Sequence, residues 1–100
     1  MTREEVAEYN EEALLLPEQY DSAIIGVAER INLGPVAAYD TNKLIDLIAK
    51  EMEPEADEVE IHGDEESAKH FMAMEYFDYN IKGAWLGENT PVFISKSFEE

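Results

Sequence analysis

The chain contains no cysteine, which removes disulfides, thiolate nucleophiles and cysteine-ligated zinc together. It has only 7 basic residues against 24 acidic ones, a formal net charge of −17. A field of that sign repels phosphate backbones and anionic lipid, so direct nucleic acid binding is disfavoured and basic partners are favoured. Long apolar runs are missing too, and with them any stretch of the ~20 residues that a membrane-spanning helix needs. The opening MTREEVAEYNEEALLL is acidic and has neither the basic start nor the apolar run of a signal peptide. No repeat or low-complexity linker interrupts the chain. These absences predict a cytoplasmic protein folded as a single domain over 1–100.

Motifs for chemistry are absent as well. There is no G-x-x-x-x-G-K-[ST] loop, no G-x-G-x-x-G after a strand, no G-x-S-x-G elbow and no EF-hand loop. His62 and His70 do not match H-E-x-x-H. His62 near Asp64, Glu65 and Glu66 could attract a cation, but a surface histidine among acids is the plainer reading. Carboxylate pairs are too abundant for any two to stand out as a placed acid and base. Trp85, between Gly83 and Gly87, reads as a core or interface residue before a ligand-stacking one. The expectation is therefore a non-enzyme with no catalytic residue, no metal ligands and no cofactor.

What is present is an α+β pattern. Thr2 with Glu5 fits a capping box, and Val6, Tyr9, Ala13 and Leu16 recur at helical spacing, so an N-terminal helix is predicted within 1–16, ending at Pro17. Residues 20–31 match both periods. Gly26 and the turn signal Asn32-Leu33-Gly34-Pro35 favour a hairpin, with strands at 23–30 and 35–39. Asp40-Thr41-Asn42 offers a cap, and Leu44, Ile45, Ile48 and Met52 form the stripe of a helix over 41–53.

Between 51 and 66 the chain carries nine carboxylates and no lysine or arginine. On one continuous helix they would lie about 2.7 Å apart along the axis, against about 1.7 Å per charge on duplex DNA. Pro54 and Gly63 forbid that helix, so 53–63 is expected to be an acidic loop, with Val59-Glu60-Ile61 as a short edge strand.

Asp64, Glu65 and Glu66 load the N-terminus of a helix over 64–82, with Lys82 and Gly83 at its end. Phe71, Met74, Phe77 and Ile81 make its core stripe, and Met72, Tyr76 and Tyr79 a second apolar side. The N-terminal helix is one cover for that side; a second subunit, making a homodimer, is the other. A strand follows at 91–95, completing a small antiparallel sheet, and 97–100 is expected to be a loose tail.

The segments YDSAIIGV (20–27), VAAYD (36–40) with Lys43-Leu44-Ile45, EYFDYN (75–80), GAWLG (83–87) and TPVF (90–93) resemble a family of short bacteriophage and prophage proteins without an assigned activity. The resemblance spans roughly 16–95; the acidic segment at 53–63 and the N-terminal stretch depart from it. It implies a phage protein acting in an infected bacterial cell, and it carries no catalytic residues.

The functional expectation is a small acidic accessory protein that binds another protein with a basic surface. Its predicted contact residues are Met72, Tyr76 and Tyr79 with Glu53, Glu55, Asp57, Glu58 and Glu60. Two alternatives remain open. One is a nucleic-acid mimic that inhibits a host defence or DNA-handling protein, and the other is a virion structural or assembly component.

Overall fold

A computed structural model of the chain describes residues 1–84 and 86–95. The protein is α+β, with a three-stranded mixed sheet, a helix before its first strand and helices between its second and third. It divides into two compact units: one holds Met1–Leu44 and the described residues after Ala84, the other Ile45–Ala84.

The first unit opens with helix α1, Arg3–Tyr9. Its capping box forms as expected: Glu5 N–H donates to Thr2 Oγ1 (3.1 Å) and Thr2 N–H to Glu5 Oε1 (2.9 Å). The predicted continuation through 16 does not form, and the cause is Asn10. Its side-chain amide donates to Pro35 O (2.8 Å) and Asn89 Oδ1 (3.2 Å), and its Oδ1 accepts from Glu12 N–H (3.0 Å). Those long-range bonds hold Asn10 in extended backbone, so the helix ends there rather than at Pro17. Val6 is fully buried where α1 packs on the first two strands.

A 3-10 turn over Glu18–Ala23 leads into β1, Ile24–Arg30, which pairs antiparallel with β2, Leu33–Asp40. The ambiguity at 20–31 thus resolves as the hairpin. Its turn sits earlier than the Gly-Pro signal suggested: Arg30 pairs with Leu33, and Asn32 takes φ +64° between them. Asparagine tolerates that left-handed conformation, which frees Gly34 and Pro35 to enter the strand.

Strand β3, Val92–Ile94, lies on the other side of β2 and is parallel to it, with Tyr39 opposite Phe93. The expected antiparallel sheet is therefore mixed. The whole helical segment intervenes between β2 and β3, and such a long crossover can return the chain in the parallel sense. Being central, β2 is buried on both faces at four successive residues, Val36 to Tyr39.

Helix α2, Thr41–Ala49, starts where predicted, with Asp40 Oδ1 accepting from Lys43 N–H (3.2 Å). Leu44, Ile45 and Ile48 are buried as expected, whereas Met52 lies beyond the helix and is half-buried. The predicted tail at 97–100, like Trp85, falls outside the described residues.

In the second unit the predicted acidic loop at 53–63 is instead helix α3, Ala56–His62, and no edge strand forms at 59–61. Pro54 and Gly63 do forbid a helix through them, but they frame a two-turn helix between them. Glu55 occupies the cap position, Asp57 and Glu58 face the positive end of the helix dipole, and His62 lies in its last turn. Gly63 closes the helix at φ +96°, with its N–H donating to Val59 O (2.9 Å).

Asp64 then caps helix α4, Glu65–Tyr76, with its Oδ1 accepting from Ser67 N–H at 2.7 Å. From Phe77 to Lys82 the same helix widens into a π-helical stretch. Gly83 ends it, but not in the left-handed conformation expected of a terminal glycine: its φ is −77°. A Cβ there would sit 3.0 Å from Asp78 O, the carbonyl that accepts the Gly83 N–H across the π turn. Any larger residue there would have to push that carbonyl back by a few tenths of an ångström.

Candidate functional site

The predicted contact residues all lie in the second unit, and α3 packs against α4. Across that contact the His62 ring rests on Phe71, with centroids 4.5 Å apart and planes tilted 31°. The histidine foreseen near Asp64, Glu65 and Glu66 is thus part of the helix–helix packing.

The faces of α4 differ from those expected. Ala68, Ala73 and Phe77 are buried, and Met72 is half-buried on the same side. Phe71 and Met74, assigned to the core from their spacing, are 46% and 42% exposed. Tyr76 and Tyr79 are exposed, as the partner-binding expectation required, Tyr79 at 80% within the π-helical stretch. Met72 departs from that expectation.

The acidic members are solvent-facing. Glu53, Glu55, Asp57 and Glu60 are exposed, and Glu58 is half-exposed. Ile61, which sequence reasoning left in the acidic loop, is 76% exposed at the end of α3. The unit therefore displays Ile61, Phe71, Met74, Tyr76 and Tyr79 to solvent, within a segment of twelve acidic residues and three lysines over 45–84. Phe71 and Met74 could have been recognised from their helical neighbours: Ser67, His70, Glu75 and Asp78 stand three or four positions away, and all four are exposed.

No family model, curated protein or solved structure matches this chain.

Several ionisations are shifted, each by a structural contact. Backbone N–H donation at the helix caps holds Glu5 and Asp64 below the usual carboxylate range. In the first unit Arg3 donates to both oxygens of Asp21 (2.8 and 2.7 Å), which lowers the Asp21 pKa and raises that of Arg3. Burial raises the Tyr39 phenol, against a smaller opposing effect of the Leu16 N–H that its hydroxyl accepts at 2.9 Å. Arg3 also donates to Leu16 O (2.8 Å), so both backbone polar groups of Leu16 are tied down. These contacts account for how the N-terminal segment and the start of α4 are fastened.

Two further features bear on chemistry. A shallow depression lined by Ala7 to Glu12 belongs to the end of α1 and the turn after it, with no opposing wall. Among the described residues no three His, Asp or Glu side chains converge as metal ligands, and no helix is long and apolar enough to cross a membrane.

Proposed function

We propose that this protein acts without catalysis, by binding another protein through the α3–α4 unit. The observation that carries the reading is the exposure of large apolar side chains, Phe71, Met74 and Tyr79 foremost, on a helix surrounded by carboxylates. Exposed apolar groups rimmed by charge favour a partner that is apolar where it touches and basic around the contact. The phage resemblance sets this activity in an infected bacterial cell, as an accessory protein.

Duplex mimicry is not needed for this. Helix α3 carries three carboxylates, Asp57, Glu58 and Glu60, over a length of roughly 10 Å. That is about half the charge density of duplex DNA or less.

The test compares capture from bacterial lysate by the natural chain and by a Met74→Ser/Tyr79→Ser variant at low and raised salt. A protein retained by the first at both salts and lost by the second supports the reading. Identical capture by both chains, or none by either, refutes it.

A further inference from the structure

We propose that the occupant of this face is a cationic amphipathic helix of the partner, its apolar stripe set on Phe71 and Met74 and its lysines or arginines on the surrounding acids. The inference rests on the protein-binding reading above and narrows the partner to one chemical class.

Phe71 and Met74 are three positions apart on α4, and so neighbours on its exposed side. The His62–Phe71 stack joins that side to the end of α3, where Ile61 is exposed. Glu75 and Asp78 each stand four positions beyond one of the two apolar residues, and Glu58 lies one turn before Ile61. The result is a short apolar surface with carboxylates around it. Methionine suits such a surface because its unbranched, polarizable side chain adapts to what lies on it.

Three alternatives fit less well. An extended peptide gains its affinity from a free sheet edge, and the described elements wholly within 45–84 are all helical. A second copy of this chain would bring its own twelve acids against the first set, with three lysines to offset them. Phosphate-bearing surfaces are repelled for the same reason. A helix that is apolar on one side and basic on the other meets both features at once.

The experiment uses the full chain and two dye-labelled peptides of lysine and leucine, each about four helical turns long. One segregates leucine onto a single helix face. The other has the same composition in a permuted order that cannot. Binding is followed by fluorescence anisotropy at physiological and raised salt.

The segregated peptide is expected to bind about tenfold tighter than the permuted one, the worth of one apolar side chain withdrawn from water. Met74→Ser, which leaves the His62–Phe71 stack alone, should remove most of that margin, and Phe71→Ser with Met74→Ser the rest. Equal binding of the two peptides would show attraction by charge alone and overturn the inference. So would binding of neither peptide, a margin unchanged in both variants, or self-association in sedimentation that displaces the peptide. If lysate capture is lost in the Met74→Ser/Tyr79→Ser variant while the peptides bind equally, the partner class is wrong and the protein-binding reading survives. If capture is unaltered, that reading fails by itself.

Discussion

Replacing Tyr39 with phenylalanine isolates one hydrogen bond in the middle of the first unit. The Tyr39 ring is fully buried on the central strand, 6.1 Å from the Phe93 ring and tilted 35° to it. Phenylalanine preserves that packing and removes only the hydroxyl. What is lost is the acceptor for Leu16 N–H, 2.9 Å away. Leu16 is itself half-buried, so its amide is left poorly satisfied rather than returned fully to water. A hydrogen bond of this kind contributes about 1 kcal/mol, and a buried donor left unpaired costs about 1–3 kcal/mol. Tyr39→Phe should therefore lower stability by about 1–2 kcal/mol in denaturant titration, with an unchanged slope because the exposed surface is the same. Hydrogen exchange gives the local readout. The Leu16 amide should lose its protection, while the Leu14 amide, which donates to Asn89 O (3.1 Å), should keep most of its own. A loss below about 0.5 kcal/mol together with a still-protected Leu16 amide would refute this account of how 10–17 is fastened.

Two other contacts carry predictions of their own. Because Arg3 lowers the Asp21 pKa, the pair's contribution is present above the ordinary aspartate value of about 3.9 and disappears as pH falls through the lower folded value. Asp21→Asn should cost about 1 kcal/mol or less at neutral pH, since both side chains are partly solvated, and should flatten the loss of stability below about pH 4. An acid-denaturation profile identical to that of the natural chain would contradict the pairing. Gly83→Ala places a Cβ against the Asp78 carbonyl, and a backbone atom yields less readily than a side chain. A cost of about 1–3 kcal/mol from crowding outweighs the 0.5–1 kcal/mol that alanine gains by helix propensity. The amide resonances of 77–82 should move as the π turn rearranges, and a more stable variant with unmoved resonances would show that the contact imposes nothing.

Local signals in the chain were legible. The Thr2–Glu5 capping box, a cap within Asp40–Asn42, the acidic start of the helix at 64 and the apolar stripe at Leu44, Ile45 and Ile48 each involve residues within two turns of one another, and each forms. Where distant residues decide, reading along the chain failed. Asn10 ends α1 through bonds to Pro35 and Asn89, and neither partner can be inferred from the helix's own pattern. The direction of β3 depends on the course of the chain after Asp40 rather than on the composition of Val92–Ile94.

The candidate site was legible in its acids and its two tyrosines, and misread in its apolar faces. Charge run and turn residues concealed α3, although Pro54 and Gly63 are well placed to bracket it. For α4, periodicity identified two apolar sides and could not say which one packs. The buried side holds Ala68 and Ala73, and small residues weigh little in a search for bulky stripes.

The most direct test of the central claim places a photo-cross-linking residue at Tyr79 in one chain and at Ile31 in another, inside bacterial cells. Both positions are highly exposed, at 80% and 90%, but they belong to different units. A discrete protein adduct at Tyr79 that is absent at Ile31 is the predicted result. Adducts at Ile31 alone, or the same adducts at both positions, would contradict the assignment of binding to the α3–α4 unit.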